Sequence, residues 1–179
     1  DVAPSYFFID IQKSQMPEFR QILETDRDVT SFDEAPMIRG IISRINGMPA
    51  KEYAGDHWVL RGDRGLTYSS KPLERSKITE GVWWEPGYEG PAQISFAEEE
   101  GREMGLSLGD ELTVNIMGRD INATITSFRD VDFSTAGIGF IMSMNPHALQ
   151  NAPHSFISTV YTDPKAEAEL LRKVASKFP

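Results

Sequence analysis

The 179-residue sequence contains no cysteine. That excludes a disulfide framework, a thiolate nucleophile and a cysteine-ligated zinc site, and leaves the compartment open. Histidine is nearly as scarce: His57, His147 and His154 are the three in the chain, none at helical spacing from another, and no HExxH is present. His147 follows Asn145-Pro146 and His154 follows Pro153, so both read as turn residues. Positive charge is short too, with 18 basic against 27 acidic residues, a net charge of −9 and no basic run. A polyanionic surface is repelled by phosphate backbones, so nucleic acid is not an expected partner. Long apolar runs are also missing. The stretch Ile138–Met144 falls far short of the ~20 residues that span a bilayer. The start at Asp1, without methionine or a visible signal peptide, gives the expectation of a piece of a longer chain.

What is present is an ordinary globular composition, 40% hydrophobic and 25% charged, enough for one substantial domain or two small ones. Tyr6–Ile11 reads as a central strand with Phe7, Ile9 and Ile11 on one face and Phe8 on the other. A helix should follow, with Ser14 as N-cap, Pro17 in the first turn and Met16, Phe19, Ile22 and Leu23 on one side. Met37–Ile45 reads as a second strand closed by the Asn46-Gly47 turn. The C-terminal end repeats the pattern. Phe156–Tyr161 is a strand, Asp163-Pro164 opens a helix, and Leu170, Leu171 and Val174 form its apolar stripe. Strand–helix–strand followed by strand–helix is a split βαβ, ferredoxin-like lobe whose last strand is expected outside this sequence.

The middle has a different texture. Lys51 to about Pro91 is rich in Gly, Pro and aromatic residues and reads mostly as loop. Ser95–Glu98 has the spacing of a capping box opening a short acidic helix, which Gly105 would end. Leu112, Val114 and Ile116 alternate, Gly118-Arg119-Asp120 turns the chain, and Ile121, Ala123 and Ile125 alternate again, giving a hairpin. Ile138–Met144 adds a strand. The fold class is therefore α+β: a split βαβ lobe at 1–48 and 154–179 with a small, mostly β lobe inserted at 49–153.

Little in the chain encodes chemistry. Glu98, Glu99 and Glu100 sit where a helix N-terminus favours negative charge, and Asp130 and Asp132 would share a strand face. Either set becomes catalytic only if the fold holds two carboxyls across a cleft. No G-x-S-x-G elbow is present, Gly137-Ile138-Gly139 lacks the rest of a dinucleotide loop, and Gly62–Gly65 lacks the lysine of a phosphate loop. No metal, nucleotide or other cofactor site is expected. The one cluster that reads as a surface for something else is Trp83, Trp84 and Tyr88, a flat platform for a sugar ring, an apolar ligand or a protein partner. The competing reading is that one tryptophan packs inward and the other covers a lobe junction.

Several stretches also carry a resemblance. Pro4–Ile11, Pro36–Gly40, Trp58–Tyr68, Gly81–Trp84, Gly105–Val114, Gly118-Arg119 and Ala152–His154 together resemble FtsX-like permeases of bacterial ABC transporters with a MacB-like periplasmic domain. This group is described as permeases linked to lysophospholipase biosynthesis. The resemblance implies a porter-like α+β lobe with an inserted Sabre-like β lobe. It also implies an inner-membrane protein with this domain in the periplasm, a second permease subunit as dimer partner, and ATP hydrolysis in a separate cytoplasmic subunit. A lipid, lipoprotein or other amphiphile, or a periplasmic protein, is the implied cargo or contact. The family supplies no catalytic residues, so the domain is expected not to be an enzyme. A carbohydrate- or ligand-binding module, or a carboxylate-based hydrolase, are the alternatives.

Overall fold

A computed structural model describes residues 6–72, 76–131, 139–163 and 167–178. In chain order the elements are β1 (Tyr6–Ile11), α1 (Met16–Thr25), β2 (Val29–Ile45), β3 (Met48–Pro49), α2 (Ala50–Ala54), β4 (Arg64–Tyr68), β5 (Lys77–Gly81) and β6 (Gln93–Ala97). Then come α3 (Glu98–Glu103), β7 (Glu111–Ile116), β8 (Arg119–Asp130), β9 (Met142–Met144), α4 (Pro146–Leu149), β10 (Ser155–Thr162) and α5 (Glu167–Lys177). The fold is α+β with mostly antiparallel strands, as expected. Two compact units share the chain: one holds the described residues up to Pro36 and from His154 onward, and the other holds the rest. β2 runs through the change from one unit to the other.

In the first unit β10 lies between β1 and the start of β2. Thr30 and Ser158 side chains add hydroxyl bonds to the Tyr161 and Asp33 carbonyls. Met16, Phe19 and Leu23 of α1 meet Leu170 and Val174 of α5 over Ile11 and Val160. This is the apolar face that the 3.6-residue period of α1 supplies.

Three expectations fail here. Among the described residues β1 pairs with β10 alone, so it is not central. Tyr6 and Phe8, not Phe7 and Ile9, pack on the core; Phe7 and Ile9 are 47% and 63% exposed. The reason is an irregularity between Phe8 and Ile11, where Asp10 takes a φ of 53° and the inward side switches, returning Ile11 to the interior. Ser14 is likewise no cap. It lies inside a 3₁₀ turn at Lys13–Gln15, and the Gln15 side chain accepts from the Gln12 N–H at 2.8 Å.

The second unit is a closed ring of strands. β2 pairs with β4, β4 with β9, β9 with β6, β6 with β8, β8 with β7, and β7 again with β2. The β4–β9 and β6–β8 pairs are parallel and the others antiparallel. Such closure removes free edges and creates a small interior, filled here by Ile38, Ile42, Leu66, Ile94, Phe96, Leu112, Val114, Ile125 and Met142. Gly40 faces this interior: a Cβ on it would come within 2.9 Å of Val114 and 3.0 Å of Leu66. β5 extends the sheet from the outer half of β8, and β3 forms a hairpin with β2 across Asn46-Gly47.

The Ser95–Glu98 capping box does not form. Ser95 is a β6 residue, fully buried, whose Oγ meets Ser127 Oγ at 2.7 Å, and α3 starts from Ala97. Strand pairing outranked the local cap, because β6 is held on both sides. The hairpin turn falls at Met117-Gly118, both with positive φ, and Arg119 already belongs to β8. Ile138 and Pro164, expected in a strand and at a helix start, lie outside the described residues. Among the described residues no helix is long and apolar enough to cross a membrane.

Candidate functional site

The aromatic cluster lies on the loop between β5 and β6. Glu85-Pro86-Gly87-Tyr88 forms a turn closed by the Tyr88 N–H and the Glu85 carbonyl at 3.1 Å, with Gly87 at a φ of 76°. Proline then glycine at the two central positions is the type II pattern. The turn brings Tyr88 back over the chain, where its hydroxyl donates to the Pro91 carbonyl at 2.6 Å. The two indoles are pinned in the same manner: Trp83 Nε1 donates to the Ser70 carbonyl and Trp84 Nε1 to the Ser69 carbonyl, each at 2.9 Å. Their rings lie 4.0 Å apart at 34°. Trp84 is only 5% exposed, whereas Trp83 and Tyr88 are half-buried.

A cleft of about 100 Å³ opens beside them, its walls completed by α4. Trp84, Tyr88 and Pro146 give it apolar surface, and the exposed side chains of Ser70, Glu89, His147 and Gln150 line it too. α4 is fixed at its start by Asn145, buried, whose Oδ1 accepts from the Gln93 N–H at 2.9 Å. Trp84 and Tyr88 are expected from the sequence, whereas His147 reads there as a turn residue and Gln150 and Glu89 carry no signal of a site. The turn at Glu85–Tyr88 was legible; the approach of α4, some sixty residues along the chain, carries no local signal.

The lining includes a hydroxyl, an imidazole and a carboxylate, the groups of a nucleophile relay. Among the described residues no hydrogen bond joins any two of Ser70, His147 and Glu89, so they stand as separate polar groups.

The other candidates are dispersed. His57 caps the 3₁₀ turn Trp58–Leu60, its Nδ1 accepting from the Val59 N–H at 3.2 Å, and its Nε2 lies 2.7 Å from Glu103 Oε1. An Nδ1 that accepts leaves the proton on Nε2, which donates to Glu103. Glu98 pairs with Arg102 on the surface. Glu100 is 6% exposed, and burial, reinforced by the nearby charges of Glu99 and Glu103, holds its carboxyl above the ordinary range against a lowering from its own backbone and from His57. Asp130 is exposed at the end of β8, and Asp132 lies outside the described residues. His154 packs edge-on against Phe156 at 5.3 Å. Among the described residues none of these carboxyls lines the cleft. Among the described residues no group of three or more His, Asp or Glu could hold a metal ion.

No family model matches the chain. The chain is similar to part of an ABC-transporter permease. The relative is the uncharacterised ABC transporter permease YbbP of Escherichia coli (strain K12), 24% identical over 159 residues, covering 88% of this chain and 19% of that protein. The chain thus spans less than a fifth of that relative's length. A solved domain described as that of a permease protein from Porphyromonas gingivalis aligns over 89% of this chain and 75% of its own, with 14% identity and a TM-score of 0.42.

Proposed function

We propose that this chain is the extracytoplasmic domain of an ABC-transporter permease subunit, transmitting movement across the membrane and contacting cargo or a periplasmic partner. The observation that carries the reading is the match of nearly the whole chain to a minor portion of a permease. In this reading the unit up to Pro36 and from His154 onward is the porter-like lobe, the unit with the strand ring is the Sabre-like lobe, and both belong to an inner-membrane protein that works as a dimer. ATP is hydrolysed by a separate cytoplasmic subunit, and the cargo is a lipid, a lipoprotein or another amphiphile. The domain itself performs no reaction. Trp83, Trp84 and Tyr88 are the proposed contact surface. Trp83 is the member to test, because it is half-buried and its loss removes one backbone bond without opening the core.

Because the sequence has no cysteine, Trp83→Cys in the intact permease gives a crosslinking handle unique within this domain. The expected result is a crosslink to a second permease subunit, a periplasmic protein or an amphiphile, with a yield that differs between ATP-bound and nucleotide-free transporter. A crosslink yield indifferent to nucleotide would overturn the reading.

A further inference from the structure

We propose that the cleft between the 82–91 loop and α4 is a subsite for one uncharged pyranose ring. The inference rests on the reading of Trp84 and Tyr88 as a contact surface and names what they contact. Both aromatic side chains have their polar atoms tied to the backbone, Trp84 Nε1 to the Ser69 carbonyl and Tyr88 Oη to the Pro91 carbonyl. What they offer a ligand is therefore fixed apolar ring surface, most of it from half-buried Tyr88 with an edge of the 5%-exposed Trp84 behind it, which suits the C–H face of a sugar. The polar lining is the reverse case. The side chains of Ser70, Glu89, His147 and Gln150 are exposed and have no hydrogen-bond partner among the described residues. They supply an acceptor, an amide that both donates and accepts, an imidazole and a hydroxyl. A rigid aromatic floor with unspent donors and acceptors at its rim matches a ring with one apolar face and hydroxyls around its edge.

Other ligand classes fit less well. A phosphate or carboxylate ligand meets Glu89 and, among the described residues, no Lys or Arg in the lining. An acyl chain would desolvate four polar side chains within a cavity of about 100 Å³. A cationic head group finds a single carboxylate among the described lining residues and would leave the hydroxyl, amide and imidazole around it without a matching partner. The same sugar ring could arrive on a soluble glycan or on a glycolipid head group.

The test is titration of the 179-residue chain with maltotriose, cellotriose and chitotriose, read by tryptophan fluorescence. Phosphatidylcholine vesicles with and without a monohexosyl diacylglycerol form a second arm. Saturable binding with Kd on the order of 1 mM is expected for one subsite. Glu89→Ala and Gln150→Ala should each weaken it roughly 5- to 10-fold while leaving the melting temperature unchanged, since both side chains are exposed. Binding of free trisaccharide assigns a soluble glycan, and binding confined to the glycolipid vesicles assigns a lipid source. No response in either arm, a response that both variants retain, displacement by tetramethylammonium, or cleavage of the trisaccharide would overturn the proposal. These results are independent of the crosslinking at position 83. Sugar binding without nucleotide-dependent crosslinks would sink the transporter reading alone, and crosslinks without sugar binding would sink this one alone.

Discussion

The guanidinium of Arg129 is buried on β8 and donates to the carbonyls of Ser95 (3.3 Å), Ile141 (3.5 Å) and Phe140. Burial brings it down to about 10, opposed by the charge of Glu100, so it is still a cation at neutral pH. Glu100 is the less settled of the two acid–base groups, since its Oε1 is buried without a hydrogen-bond partner. A carboxyl whose folded pKa is raised binds more protons in the folded state, so its contribution is favourable at low pH and lost as pH rises. Glu100→Gln should therefore raise the melting temperature at pH 7, with the gap closing as pH falls through the ordinary glutamate range. A melting series across pH checks both sign and trend. Gly81 is the opposite kind of residue, needed for its backbone. At a φ of 79°, with a Cβ directed at the Thr126 carbonyl, it should make Gly81→Ala cost roughly 2 kcal/mol or more in denaturant unfolding.

At the scale of elements, Asp26 ties the end of α1 to α5. Its Oδ1 accepts from the Asp28 N–H at 2.9 Å, and its Oδ2 meets Lys173 Nζ at 3.0 Å. The Asp28 N–H, and after it Lys173, hold the Asp26 carboxyl below its ordinary value despite burial. A depressed carboxyl stabilises above its unfolded pKa, and that support disappears as pH falls through the folded value. Asp26→Asn should cost about 1 kcal/mol at neutral pH and nothing in strong acid, as measured by urea unfolding at the two extremes. Much at this scale was legible in the sequence. Alternating Leu112, Val114, Ile116 and Ile121, Ala123, Ile125 gave the β7–β8 hairpin, and Asn46-Gly47 gave the separate turn that ends β2. Strand–helix at each end gave β1–α1 and β10–α5, whereas the expected second strand, Met37–Ile45, is the part of β2 that belongs to the ring. What escaped depends on distant partners. Ring closure makes β4 and β6 strands where composition looked like loop and cap. The bulge at Asp10 reverses the faces of β1, an effect of backbone conformation that side-chain alternation does not encode. The cleft was half legible for the same reason: Trp83, Trp84 and Tyr88 stand together in sequence, and α4 reaches them only through the fold.

Across the whole molecule the apolar interior is divided very unequally. The ring encloses Ile94, Phe96, Leu112, Val114, Met142 and many others, while the smaller unit rests on Met16, Phe19, Leu23, Val160, Leu170 and few more. Local opening follows buried contacts, so amide exchange should be slowest along β6, β7 and β8 and faster in α1 and α5. Phe96→Ala, at a fully buried ring position, should cost about 3–5 kcal/mol and abolish the slowest-exchanging class. Uniform protection over both units would contradict this division.

The ring has one more consequence. A sheet with ends can be unzipped from either side, one ladder at a time. A hoop such as β2–β4–β9–β6–β8–β7 offers no end from which to start. Stretched in an optical trap, it should hold its length until several ladders rupture together, yielding in a single abrupt step.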